Sequence, residues 1–273
     1  MTTLISWLGV DSRQAGSIYL ASDSRLTWGD SSSWDAGKKL FAARNMPEIF
    51  GYCGDVTFPT QVLAQFCEQI DSGTVFSNND SFERKLEIAY ACIDQSFTTY
   101  PKKNLGDEFQ ILYVSRVGIG MGAEFFAGAI SWERSKNNLE AIILPMPKRS
   151  SLIKGIGTGS QSIEDWYYRW KTSDVQNTSR SVFGAFCDSL ESGNDPMSGG
   201  APQLIGLYRI GQPKVFGVIW HGQRYLSGSL VSNDVKLNDV EWRNSRFEIC
   251  DPNTMSRQDG AQIQPRPKIV LPT

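Results

Sequence analysis

One histidine, His221, is all the imidazole that the 273 residues contain. The five cysteines, Cys53, Cys67, Cys92, Cys187 and Cys250, are odd in number and nowhere spaced as Cys-x-x-Cys. A zinc site, or a serine or cysteine triad assisted by histidine, needs imidazole or thiolate in a defined cluster, so both fit poorly and no metal or cofactor is expected. A chain of this length needs no disulfide framework, and a reducing compartment fits the thiols best. His221, beside Trp220 at the end of an apolar run, reads as a strand-end or packing residue.

Basic excess is also missing. Lys and Arg total 27 against 29 Asp and Glu, a formal charge of −2, which gives a nucleic-acid backbone nothing to bind over the chain as a whole. Long hydrophobic runs are absent too. The stretch from Leu4 to Val10 is broken by Ser6 and Gly9, has no basic leader and runs into Asp11-Ser12-Arg13, so it suits a strand better than a signal peptide or a membrane span. The expectation is a cytoplasmic protein without membrane or nucleic-acid partners. Neither Gly118-Ile119-Gly120-Met121-Gly122 nor Gly155-Ile156-Gly157-Thr158-Gly159 completes GxGxxG or leads into GK[ST], so nucleotide binding has no support.

What is present suffices for a folded core: 40% of residues are hydrophobic and 11% aromatic. Residues 3–10 and 17–23 read as a hairpin that brings Asp23 back beside the chain terminus. Short strands follow at Lys39-Leu40-Phe41 and Glu48-Ile49-Phe50-Gly51, and Gly51-Tyr52-Cys53-Gly54-Asp55 reads as a turn leading into a helix. Val62, Leu63, Phe66 and Ile70 recur at helical spacing after Pro59, and Phe82, Leu86, Ala89, Ile93 and Phe97 do so after a capping box of Asp80 and Glu83. The period returns to two over 109–113, 124–132 and 139–144. Two more helices carry Ile163, Trp166, Tyr167 and Trp170, and then Val182, Phe183, Phe186, Cys187 and Leu190; an aromatic stripe at that spacing reads as core. Segments 203–210 and 214–220 close a last hairpin.

Helices therefore come in pairs between groups of strands. That order argues against a doubly wound parallel sheet and predicts an α+β protein, a four-layer αββα sandwich of two antiparallel sheets flanked by helix pairs. Residues 1–220 form the expected catalytic domain. Residues 221–273 read as a C-terminal extension of the same domain or as an arm reaching a neighbouring subunit, with Lys268-Ile269-Val270-Leu271 able to dock on either.

The first three residues, Met1-Thr2-Thr3, carry the chemical suggestion. With Met1 trimmed, Thr2 offers a hydroxyl nucleophile and an α-amino group whose ordinary pKa of about 8 suits a general base, and no histidine is required. If Met1 persists, the Thr2 nitrogen is an amide and the site is latent. Together with Ala21-Ser22-Asp23-Ser24-Arg25, Lys38-Lys39-Leu40-Phe41, Gly51 to Asp55, Gly155 to Ser160 and Asp195-Pro196-Met197-Ser198-Gly199-Gly200, this order of motifs resembles proteasome β-type subunits and bacterial proteasome-like peptidases. The resemblance spans roughly residues 2–220.

It implies the N-terminal nucleophile hydrolase fold and a threonine-type peptidase. Thr2 would attack, and Lys39 would favour the alkoxide; strand alternation lets only one of Lys38 and Lys39 point inward. Asp23 would orient Lys39, Arg25 would brace it from behind, and Gly51 would supply the oxyanion N–H. Ser160, Asp195 and Ser198 would hold the amine and hydroxyl of Thr2, while Leu26, Ile49 and Cys53 would form a pocket for a medium-sized apolar side chain. The expected partners are a peptide or unfolded-protein substrate, further copies in a homo-oligomeric ring, and an ATP-dependent unfoldase. The same fold also hosts amidohydrolases, acyltransferases and non-catalytic ring subunits, and these alternatives stay open. The departures are an enlarged first hairpin and Pro196, which restricts the backbone of Asp195.

Overall fold

The computed structural model describes residues 2–29, 32–232 and 239–267. Met1 and Lys268-Ile269-Val270-Leu271, on which two of the expectations turn, lie outside the described residues.

In chain order the elements are β1 (Leu4–Val10), β2 (Ala15–Ser22), β3 (Leu26–Thr27), β4 (Ser33–Trp34), β5 (Leu40–Ala42), β6 (Glu48–Gly54), α1 (Thr57–Asp71) and α2 (Phe82–Thr99). There follow β7 (Phe109–Val117), β8 (Glu124–Glu133), β9 (Asn138–Ile143), β10 (Ser151–Ile156), α3 (Ser160–Lys171) and α4 (Ser179–Ser192). The chain continues with β11 (Gln203–Tyr208), β12 (Lys214–Trp220), β13 (Gln223–Leu226), β14 (Ser229–Leu230), β15 (Trp242–Asn244) and β16 (Ile249–Cys250).

Two main sheets result. One runs β10-β1-β2-β11-β12-β13-β14, and the other runs β5-β6-β7-β8-β9. Neighbouring strands are antiparallel, except that β15 lies parallel to β12 and brings β16 with it. Residues beyond 220 thus add strands to the larger sheet.

β1, β2, β6, β7 and β11 read as nearly unbroken apolar runs because they are buried on both faces. On β1, Leu4 and Leu8 join a cluster with Ile49, Leu112 and Val114 of the other sheet, whereas Ile5 and Trp7 turn toward Ile163, Trp170, Val182 and Phe186 of α3 and α4. On β6, Ile49 and Cys53 face the other sheet while Phe50 and Tyr52 meet Val62, Phe66, Leu86 and Ile93 of α1 and α2. The molecule is a mixed α and β protein with its helices in pairs, as the motif order predicts. Trp166 and Trp170 are core, with Tyr167 packed against them.

Two local expectations change, while His221 lies at a strand end as expected. Ser81, not Asp80, caps α2 by accepting the Arg84 N–H, while Asp80 accepts the N–H of Ser77. The segment from Gly51 to Gly54 is not a turn but the end of β6, because its backbone pairs with β7 as far as Gly54 opposite Phe109. His221 begins the turn after β12 at φ 49°, stacks on Trp220 and lies 3.0 Å from Glu191 Oε1. Among the described residues no helix is long and apolar enough to cross a membrane.

Candidate active site

Strand pairing builds the site at the start of β1. Leu4 lies opposite Ser22, and the ladder continues one step outward, where the Asp23 N–H donates to the Thr3 carbonyl at 3.2 Å. The Asp23 carboxylate returns the contact: Oδ1 accepts the Thr3 N–H at 3.0 Å and the Lys39 ammonium at 2.8 Å. Its Oδ2 accepts the N–H of Arg25 at 3.1 Å and of Gly199 at 3.0 Å. Asp23 and Lys39 are both fully buried, which is tolerable because the charges pair and each carboxylate oxygen is hydrogen-bonded. Burial pulls the Lys39 pKa below the ordinary lysine value, against the opposing pull of Asp23. Lys38 is exposed instead, with its ammonium 4.8 Å above the Phe41 ring.

A residue that carries no motif holds this corner together. Gln203, 1% exposed at the head of β11, donates from Nε2 to the carbonyl oxygens of Asp23 and Gly37, and its Oε1 accepts the Lys39 N–H at 3.1 Å. One side chain thereby ties the segment bearing Asp23 to the one bearing Lys39.

A chain of hydroxyls approaches from the other side. Asp195 Oδ2 accepts hydrogens from Thr158 Oγ1 and Ser198 Oγ, each at 2.7 Å, and Oδ1 accepts the Met197 N–H. A hydroxyl whose one proton is committed to a carboxylate can only accept at its next contact. Ser198 therefore accepts from Thr3 Oγ1 at 2.7 Å, and Thr158 accepts from the Thr2 nitrogen at 3.3 Å. Pro196 sits within the Asp195 turn and its carbonyl accepts from Arg25, whose guanidinium also forms a two-pronged pair with Asp35 at 2.7 and 2.8 Å.

The hydroxyl that reaches the Thr2 nitrogen is thus Thr158's. Ser160 is the first residue of α3, where its own N–H donates to the Gly157 carbonyl, and among the described residues its side chain does not meet Thr2. The flanking glycines have a steric reason. A Cβ at Gly157, which sits at φ +92°, would lie 1.9 Å from the Thr2 carbonyl oxygen, and one at Gly159 would lie 1.8 Å from Thr3 Oγ1. A side chain at either glycine would push this turn away from Thr2 and Thr3. Thr158, Thr3 and Gln203 are the site residues that sequence reasoning missed. The first was legible in Gly157-Thr158-Gly159-Ser160, where two hydroxyls compete for one role.

Gly51 lies within β6 between Leu40 and Leu112, packed on Leu4 two residues from Thr2. Leu26, Ile49 and Cys53 are all buried; Ile49 and Cys53 belong to the core between the sheets, and burial pushes the Cys53 thiol up to about 12, away from reactive thiolate. Among the described residues no three His, Cys, Asp or Glu side chains are grouped to hold a metal ion.

No family model matches the chain, nor does any curated protein. Solved structures do. Eukaryotic HslV from Trypanosoma brucei aligns at 14% identity and a TM-score of 0.47, over 75% of this chain and 99% of its own. The Anbu Gly-1 mutant from Hyphomicrobium sp. strain MC1 aligns at 11% and 0.53, over 79% and 86%. Anbu, the ancestral β-subunit from Yersinia bercovieri, aligns at 11% and 0.55, over 78% and 87%. At such identities the likeness is one of fold, and it rests on the two Anbu structures: the chain has the proteasome-type fold.

Proposed function

We propose that this protein is a threonine-type N-terminal-nucleophile peptidase, with Thr2 as nucleophile once Met1 has been removed. The observation that carries the reading is the convergence on Thr2-Thr3 of two networks: the Lys39–Asp23 pair through the Thr3 N–H, and the Asp195 hydroxyl chain through Thr158 to the Thr2 nitrogen.

In the proposed reaction the Thr2 amine takes the hydroxyl proton as Oγ1 bonds to the substrate carbonyl carbon. Because Thr158 can only accept a hydrogen, it orients the amine without competing for its lone pair. The buried Lys39 ammonium favours the alkoxide and disfavours a second positive charge on the amine, and the Gly51 N–H receives the oxyanion. The C–N bond then breaks, the leaving amine takes the proton from the Thr2 ammonium, and water attacking the acyl ester restores the hydroxyl. Asp23 keeps Lys39 in place, Arg25 holds the Asp195–Ser198 turn, and Ser198 fixes Thr3.

The three apolar clusters support the finer fold reading as well: helix pair, sheet, sheet and helix pair stacked as four layers, with the described residues beyond 220 in the same domain. A homo-oligomeric ring in the cytoplasm, acting on peptides or on chains supplied by an ATP-dependent unfoldase, is the setting that we propose from the resemblance of the motif order to bacterial proteasome-like peptidases.

The test is intact mass of the purified protein before and after an epoxyketone, which forms a stable ring only with a hydroxyl and a free amine on one residue. The expected result is loss of Met1 and one adduct, absent in Thr2→Ala. Retention of Met1 with no adduct overturns the proposal.

A further inference from the structure

The threonines and the ammonium stand on different sheets. Thr2 and Thr3 lead into β1 and Asp23 follows β2, both in the larger sheet, whereas Lys39 leads into β5 and Gly51 lies on β6 of the smaller one. Between them Leu4, Leu40, Ile49 and Leu112 share one apolar cluster. Hydrophobic attraction is non-directional, so it presses the sheets together without setting one polar atom against another.

Gln203 supplies a directional tie. By strand alternation Gln203, Ile205 and Leu207 of β11 fall on one face, and Ile205 and Leu207 belong to the apolar cluster between the sheets. Gln203 thus takes a core position, where an unpaired amide would be costly. Both of its polar atoms are paired. Nε2 donates to the carbonyl oxygens of Gly37 at 2.8 Å and Asp23 at 3.1 Å, with Ser24 Oγ at 3.3 Å, and Oε1 accepts the Lys39 N–H at 3.1 Å. A carboxylate offers no hydrogen for the two carbonyls, and an ammonium or guanidinium offers no acceptor for the N–H.

The consequence falls on Lys39. The Asp23 carboxylate is held by the N–H groups of Thr3, Arg25 and Gly199, none of them on Gln203. The Lys39 backbone is held by the Tyr52 N–H within its own sheet and by Gln203 from the other. Asp23 Oδ1 fixes the ammonium beside the Thr3 N–H, but a flexible four-carbon stem can reach one oxygen from many backbone positions. The direction of approach is set at the backbone end of the side chain.

We infer that Gln203 is a positioning residue for the reaction: from the sheet that bears Thr2 it holds the backbone of Lys39, and so aims the ammonium at the attacking hydroxyl. The inference rests on the peptidase reading.

The test is the rate at which Thr2 takes up an acetylated trileucine epoxyketone, followed by intact mass per folded molecule and resolved into a limiting rate and a half-saturating concentration. Gln203→Met keeps the length of the side chain and removes the amide. Its limiting rate is expected to fall by about 10²-fold with the half-saturating concentration within about twofold, the mark of a misplaced group and not of lost binding. In a Lys39→Met background the same substitution should cost no more than about twofold further, because the group that it positions is already gone. Should Gln203→Met not fold, Gln203→Asn, an amide one methylene shorter, is measured in both backgrounds with the same expectation. An unchanged limiting rate overturns the inference, as does an equal loss with and without Lys39, or failure of both variants to fold, which would make Gln203 a folding residue. A wild-type protein that takes up no adduct overturns the peptidase reading itself, and this inference with it.

Discussion

Lys39 with Asp23 and Lys85 with Glu48 are salt bridges of the same chemistry, 2.8 and 2.6 Å long, each with both side chains almost wholly withdrawn from solvent. Their surroundings differ. Three backbone N–H groups support Asp23, and the pair adjoins the threonine and serine hydroxyls that lead to Asp195. Glu48 is held by Lys85 and by the Tyr113 hydroxyl at 2.7 Å, among Phe76, Phe50 and Phe82 in the core under α2. Burial alone therefore marks neither pair as functional. What separates them is the backbone donors around Asp23, which keep it in place without its lysine, and the protic groups around it, which could pass a proton on.

The largest expected effect falls on turnover. Replacing Lys39 with methionine should reduce peptide cleavage by 10²–10⁴-fold, the range of a lost acid–base or electrostatic group, while the fold survives because Asp23 keeps its three N–H donors. Cleavage rates with the urea midpoint measured alongside check this. A Lys39→Met protein that loses its fold together with its activity would make the two pairs alike and break the contrast.

Lys85→Met should invert that outcome. Its activity is expected to stay within about twofold per folded molecule, and its stability to fall by about 3–5 kcal/mol, because Glu48 is left buried without its ammonium partner. Adding Glu48→Gln should recover most of the loss, since a neutral amide can still accept from Tyr113. The pH dependence has a definite sign. Burial raises the Glu48 pKa above its ordinary 4.5, so the native carboxyl holds its proton to higher pH than the unfolded one, and this contribution is present below 4.5 and lost as pH rises through the native pKa. Lys85 opposes that rise, so its removal should cost least near pH 5 and most near pH 8, as urea titrations at the two values will show.

How far the site could be read in advance follows from the same physics. The resemblance favoured Lys39 over Lys38, with strand alternation requiring only that the two face opposite sides, and the hairpin pairing delivered Asp23 to the start of β1; alternation and pairing are legible because both follow a strict period of two. Choices of a single residue at element ends were less legible: whether Asp80 or Ser81 caps α2, and whether Thr158 or Ser160 meets Thr2, depends on where the first helical turn begins. Gly51 looked like a turn because a glycine-rich stretch signals one locally, whereas its pairing with β7 is a contact across sixty residues of sequence that local pattern does not carry. Gln203 had no signal at all. A polar residue opening an apolar strand is unremarkable until the backbone groups of Asp23, Gly37 and Lys39 are seen around it.

The smallest effect sharpens the comparison most, because it separates two hydroxyls two residues apart. Thr158→Val keeps the shape of the side chain and removes the acceptor for the Thr2 nitrogen, and it also takes one hydroxyl from Asp195 Oδ2, which Ser198 still supplies. The expected loss in kcat is about tenfold, one misdirected hydrogen bond, with KM little changed. Ser160→Ala should stay within about twofold, since its backbone and not its side chain joins the turn. A merely structural role for Thr158 would lower the amount of folded enzyme and leave the pH profile of the remainder alone. An amine deprived of the Thr158 acceptor should instead move the alkaline-going limb of kcat/KM, and Thr158→Ser, which restores the hydroxyl without the methyl, should return that limb to its original position.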